Sequence, residues 1–249
     1  MEWTPTTMAI ATLALFAGGL SKGATGIALP LIATPIIAMV TDVPTAVGLM
    51  SVPIVISNGW QAVSGGLLFV SARRFRTLLV SIPPGVLIGG MVLSLSDPEL
   101  LFALLGAIVV VFAALSLYRP GLRLPEGMEK GLAIPVGLAA GLIGGLSSVF
   151  APVLAVFMLS LRLKPDEFIA AIGLLFFTGG ITLALVTAWF STLTPQGWIA
   201  ALFAIVPVSA GQIAGQALRR YIDPQTFRRG VLVLLLIIGL NLLRRAIAA

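Results

Sequence analysis

Gly18-Gly19-Leu20-Ser21-Lys22-Gly23-Ala24-Thr25-Gly26 places a lysine between two apolar runs. A cation embedded in a membrane is expensive unless it has a task. Every other basic residue falls at a segment boundary or close to the C-terminus. The stretch therefore points to a membrane protein that keeps one positive charge where a small anion could meet it.

The composition agrees. The 249 residues are 59% hydrophobic and 10% charged, with a mean hydropathy of +1.12, more apolar surface than a soluble protein of this size could cover. Met1-Glu2-Trp3 carries no positive n-region, so the first helix is expected to stay in the mature chain. Without Cys or His, disulfides, thiolate metal sites and the usual acid–base machinery fall away, and no cofactor is expected. The net charge of +6 comes from residues that cap apolar segments instead of forming a solvated face. That pattern is membrane orientation and not nucleic-acid binding.

Long apolar segments run over 8–39, 44–70, 77–95, 99–118, 131–160, 166–190, 198–219 and 224–247. Six match the roughly 20 residues of a helical crossing. The first and fifth are longer and broken by glycines. Gly19-Leu20, Gly23, Thr25 and Pro30-Leu31 align with Gly141-Leu142, Gly145, Ser147 and Pro152-Val153 at a constant offset. Gly85-x-x-x-Gly89 matches Gly211-x-x-x-Gly215, and Asp97-Pro98 matches Asp223-Pro224. This implies a duplication of about 120 residues: repeats 1–118 and 131–249 of about four segments each, joined by a cytoplasmic linker at 119–130.

Charge tests the topology. If both broken segments dip into the membrane and return, one face holds Arg73, Arg74, Arg76, Arg119, Arg123, Lys130, Arg162, Lys164, Arg219, Arg220, Arg228 and Arg229. The other holds Glu2, Asp42, Asp97 and Glu99, with Arg244 and Arg245 as exceptions. The basic face is then cytoplasmic, in the cell inner membrane. Eight simple crossings would split the basic clusters between the two sides. With three crossings plus one re-entrant segment per half, the repeats are inverted, the usual basis of alternating access. The expected fold is all-α and polytopic. Trp3, Tyr118, Trp189, Trp198 and Tyr221 fall near segment ends, as lipid-facing anchors should; Trp60 does not.

A helix starting in the first break would aim unpaired amides into the membrane, which attracts an anion. Lys22, Ser21, Gly23, Thr25 and Gly26 form that candidate site, and Gly145, Ser147 and Ser148 stand at the matching place. The expectation is that the two opposed breaks surround a small oxyanion near the bilayer midplane. Tight helix crossing is the competing role of the glycines. Ser57, Asn58, Trp60, Gln61 and Ser64 interrupt the second segment, and their amides need partners in protein or a wet cavity. Asn58, Gln61, Thr178 and Gln212 complete the candidate substrate-binding set; structural hydrogen bonding is the other reading of Asn58 and Gln61. No acid falls clearly within an apolar segment. Proton coupling, if present, therefore runs through the substrate or Lys22, and a facilitative exit fits equally well. No G-x-x-x-x-G-K-[ST] loop is present to hydrolyse ATP.

At this point the chain resembles the TauE/SafE sulfite exporters, also called the 4-toluene sulfonate uptake permease family. The resemblance rests on Gly19-Leu20-Ser21-Lys22-Gly23-Ala24-Thr25-Gly26-Ile27-Ala28-Leu29-Pro30, on Pro44-Thr45-Ala46-Val47-Gly48, and on Gly141-Leu142-Ile143-Gly144-Gly145-Leu146-Ser147-Ser148 with Pro152. It covers almost the whole length and implies a secondary carrier of sulfite, organosulfonates or related anions. The alternatives are a carrier or channel for a short organic carboxylate, or a structural membrane subunit. An intramembrane enzyme would have only the adjacent Ser21 and Lys22, poorly placed to face each other on a helix, so no enzyme is expected.

Overall fold

The computed structural model describes residues 4–118, 128–161, 163–218, 221 and 224–248, and all their regular structure is helical. Six helices make up the first half: α1 (Pro5–Thr25), α2 (Leu29–Val40), α3 (Val43–Ser64), α4 (Leu68–Arg74), α5 (Arg76–Leu95) and α6 (Pro98–Tyr118). The second repeats the order with α7 (Met128–Ser147), α8 (Ala151–Ser160), α9 (Pro165–Trp189), α10 (Pro195–Phe203), α11 (Ile205–Leu218) and α12 (Pro224–Ala248). Among the described residues eight helical stretches are long and apolar enough to cross a membrane. The chain is a multi-pass membrane protein.

Helix boundaries follow local chemistry. Thr4, Asp42 and Thr194 accept from the amides of Thr7, Thr45 and Gly197 and so cap α1, α3 and α10. Gly26, at φ +89°, ends α1 in the left-handed region, with its N–H on Lys22 O at 2.6 Å. Ser148, at φ +62°, takes that place after α7, with its N–H on Gly144 O at 2.7 Å. A serine there costs roughly 1 kcal/mol relative to glycine. Its hydroxyl also bonds Thr34 Oγ1 at 2.6 Å, a contact glycine would lack.

Glycine contacts fix the directions of the helices. On α5, a Cβ at Gly85 or Gly89 would overlap the carbonyl oxygens of Leu138 or Leu142, and one at Gly141 or Gly145 of α7 those of Ile82 or Val86. In the other half, Gly211 and Gly215 meet Phe16 O and Leu20 O, while Gly19 and Gly23 meet Val208 O and Gln212 O. Thus α5 runs parallel to α7, and α11 parallel to α1. The repeated small-x-x-x-small motifs are two equivalent crossings in which backbone rests on backbone. By contrast, Gly59 against Phe177, Gly173 against Gln61 and Gly180 against Ile54 make α3 and α9 antiparallel. The Gly106 and Gly239 contacts do the same for α6 and α12.

At one end of the bundle Asp42, Ser96, Pro98 and Thr192 line a common cavity of about 300 Å³, and Arg245 Nη1 donates to Met39 O at 2.6 Å. At the other end Arg74 pairs with Glu129 at 3.1 Å, joining α4 to α7. Both partners are substantially exposed, so the pair contributes about 1 kcal/mol or less. Gly18 of α1 meets Leu29 and Ala33 of α2, so these two helices fold back on each other as a hairpin, and α8 likewise follows α7 across a short break at which Gly144 meets the Phe150 ring. The arms of the first hairpin are unequal, 21 residues in α1 and 12 in α2, and α1 and α7 are each long and apolar enough to cross a membrane by themselves.

Several expectations are corrected. Segment 44–70 is not one helix: α3 stops at Ser64, and Gly65 and Gly66, the latter at φ +66°, turn the chain into α4. Trp60 consequently lies one turn from a helix end, 70% exposed, where an interfacial ring belongs. Segment 198–219 is stepped at Ala204, because Pro207 has no N–H to donate to Phe203. Of the linker placed at 119–130, residues 119–127 lie outside the described residues, and Met128–Lys130 are the first turn of α7. Glu2, Trp3, Arg119, Arg123, Arg162, Arg219, Arg220 and Asp223 also lie outside them, as does the side chain of Arg228.

The crossings predict opposite outcomes for one type of change. Gly85→Ala should lower stability by about 1–3 kcal/mol, since its methyl group meets backbone that cannot swing aside. Gly131→Ala, within α7 and with open space at its Cβ position, should raise it by about 0.5–1 kcal/mol. Thermal unfolding in detergent reads both; equal effects would refute the packing argument.

Candidate functional site

Lys22 stands in the last turn of α1, where the carbonyl end of the helix dipole favours a cation. Only 3% of its surface is exposed. Its Nζ donates to Ser57 Oγ at 3.0 Å and to Asn58 Oδ1 at 2.5 Å, both on α3. Asn58 in turn donates Nδ2 to Ile54 O at 2.8 Å, which turns its oxygen toward the lysine. Two of three ammonium protons are thereby placed on neutral oxygens. No carboxylate joins them, and Arg74–Glu129 is the one ion pair among the described residues. Ser21, next in sequence, has its hydroxyl buried and without a partner.

Opposite the end of α1, α2 begins at Leu29 with no side-chain cap on its first turn. Leu29, Pro30, Leu31 and Ile32 are all buried. A buried helix start without a cap leaves amide donors directed into the protein. The break thus combines one ammonium, one unpartnered hydroxyl and a helix N-terminus, which together can hold a small oxyanion by charge and by hydrogen bonds.

The second half differs at the matching positions. At the offset that relates Gly19 to Gly141, Lys22, Ser57 and Asn58 become Gly144, Gly179 and Gly180. The Phe150 ring fills the space: a Cβ on Gly144 would overlap it, and one on Gly179 would lie 2.6 Å from its Cε1. Phe176 packs beside it with ring centroids 6.1 Å apart. One half therefore carries a buried polar cluster with a charge, and the other an aromatic ring.

Of the expected residues, the structure brings together Lys22 and Asn58, with Ser21 adjoining. Gly23 faces the backbone of Gln212 and Gln216 on α11, and Gly145 that of Val86 on α5. Gln212 is half-buried beside the end of α1. Thr25 and Thr178 turn their hydroxyls back to Ser21 O and Leu174 O. Gln61 donates to Ile169 O at 3.0 Å, tying α3 to α9. Ser147 donates to Ile143 O and accepts from Val149 N, while Ser148 bonds Ser147 O and Thr34. At the second break Ser148 bonds Thr34 in the middle of α2, and at the first Lys22 reaches Ser57 and Asn58 on α3.

Nothing in the sequence points to Thr34 or Phe150, and Ser57 stands out there only as one residue of a polar face. The repeat alignment held a signal for Ser57, because the lysine and both its partners become glycine together. The described residues contain no group of three or more His, Cys, Asp or Glu able to hold a metal.

The family model for "Sulfite exporter TauE/SafE" matches residues 10–242. A curated relative from Cupriavidus necator, named as a probable sulfite/organosulfonate exporter TauE, is 28% identical over 216 residues, covering 86% of this chain and 82% of its own. No solved structure matches the chain.

Proposed function

The chain belongs to the sulfite exporter TauE/SafE family, and from that premise we propose that it is a secondary carrier moving sulfite or an organosulfonate across the cell inner membrane. One observation carries the reading: Lys22 is buried, hydrogen-bonded only to the neutral Ser57 and Asn58, and has no carboxylate partner. A buried charge without a counter-ion is costly. An arriving oxyanion removes that cost, and Ser57 and Asn58 hold the ammonium in place to meet it.

The relation of the halves supports alternating access. Antiparallel packing of α3 on α9 and of α6 on α12, with the reciprocal α1–α11 and α5–α7 crossings, is what an in-plane two-fold axis would produce. Inverted repeats are the reading these contacts favour. Arg73, Arg74, Arg76, Lys130 and Lys164 at one end orient it to the cytoplasm. Lys22, Ser21, Asn58 and the amides of α2 contact the anion; Gln212 borders the path to it; Gly23, Gly145, Ser147, Ser148, Gln61 and Thr178 hold the helices that frame it. Any coupled proton travels on the substrate or on Lys22, because no carboxylate lies near them.

Counterflow in proteoliposomes tests this. Labelled sulfite, competed with sulfoacetate, taurine, sulfate and a short carboxylate, should show saturable exchange and trans-stimulation by a sulfur oxyanion. Exchange confined to the carboxylate, or none from folded protein, would overturn the proposal.

A further inference from the structure

We propose that the Lys22 site selects its substrate by charge state, accepting sulfur oxyanions as monoanions, bisulfite or a sulfonate, and rejecting dianions such as sulfite and sulfate. The inference rests on the transport reading above and concerns the same site.

The argument is a count of charge around a buried point. Within α1, Lys22 is the only ionisable side chain, and α2, α3 and α11, the helices nearest it, carry none along their lengths. Asp42 caps α3 at its far end, where it accepts from Thr45. On α9, which packs on α3, Asp166 and Glu167 occupy the first turn, and the arginines of α12 fall near its two ends. The buried polar groups at the site are hydroxyls and one amide: Ser21, Ser57 and Asn58. The fixed charge is therefore +1.

Helix dipoles do not add a second unit. The break places the C-terminus of α1 beside the N-terminus of α2, and their partial charges, of opposite sign, largely cancel. A monoanion leaves the occupied site neutral. A dianion leaves one negative charge buried among neutral groups, which the interior penalises heavily. The second repeat supplies no further cation, since Gly144 stands where Lys22 would be and Phe150 fills the space. Ser21 adds a specific fit, because its buried, unpartnered oxygen can accept the S–OH proton that bisulfite has and sulfite lacks.

The test uses intact protein in proteoliposomes exchanging a labelled sulfonate, a monoanion at every working pH. Competitors are sulfite, sulfate and methylphosphonate, the last a near-isostere of methanesulfonate that becomes a dianion as pH rises. Sulfonate exchange itself registers any titration of the protein, so the ratio of each competitor to the sulfonate isolates the charge of the ligand. Competition by sulfite and methylphosphonate should fall about tenfold per pH unit once the monoanion is the minority species. Sulfate should compete at least about a hundredfold more weakly throughout. Dianions competing at parity with the sulfonate would overturn this inference and leave the transport reading standing. Absence of exchange for every anion would overturn both.

Discussion

Lys22→Ala should lose anion exchange, with kcat/KM falling at least about a hundredfold, while the protein remains folded. The two effects separate because the ammonium acts differently in the empty and occupied states. With anion bound, the lysine is one half of a buried ion pair, and removing one partner of such a pair costs about 3–5 kcal/mol. In the empty protein it is an unpaired buried charge, unfavourable by several kcal/mol. Its loss leaves Ser57 Oγ and Asn58 Oδ1 short of a donor, at about 1–3 kcal/mol each. These terms are opposed, so the melting temperature of the empty mutant should lie close to wild type. Thermal unfolding with and without sulfonate, alongside counterflow, reads both: the ligand-induced rise in melting temperature should disappear together with exchange. Wild-type kinetics in a well-folded mutant would remove Lys22 from the site. Lys22→Arg should be partly tolerated, since a planar fork cannot reproduce donation to Ser57 and Asn58 from a single nitrogen.

Much of the architecture was readable because membrane helices obey coarse rules. Segment length and glycine breaks were enough to expect an all-helical polytopic chain whose first and fifth segments are each broken in two, and the structure divides them into α1–α2 and α7–α8. The glycines at 85, 89, 211 and 215 were legible as crossings through their spacing. Less legible was that Gly19, Gly23, Gly141 and Gly145 are the other halves of the same crossings, because sequence spacing does not say which partner fills the groove. The meeting of Lys22 with Ser57 and Asn58 depends on how α3 rotates against α1, which a segment apolar on nearly every side leaves open. Ser147 and Ser148 offer hydroxyls at the positions that match Thr25 and Gly26, a turn beyond the one that matches Lys22. The actual counterpart is Phe150 on Gly144 and Gly179, an apolar solution to the same packing problem.

A site with one cation and only neutral partners is sensitive to a change of one atom, and Asn58→Asp is that change. The carboxylate is nearly isosteric with the amide, and the oxygen that accepts from Lys22 Nζ stays where it is. The other oxygen replaces the nitrogen that donates to Ile54 O, so two acceptors face each other at a cost of about 1–3 kcal/mol. Against that, Lys22 gains a permanent buried partner, and the fixed charge of the empty site falls to zero. An incoming monoanion would then have to displace the carboxylate or leave a net negative charge buried. Exchange should drop at least about a hundredfold at neutral pH, with expression and melting temperature near wild type. Acidification supplies the decisive arm: once protonated, the introduced carboxyl group donates to Ile54 O as the amide did and restores the site charge to +1. N58D should therefore regain sulfonate exchange as pH falls, whereas Asn58→Leu, which also loses the donor to Ile54 O but cannot titrate, should not. Wild-type exchange by N58D at neutral pH would show that the charge on Lys22 does not govern anion binding.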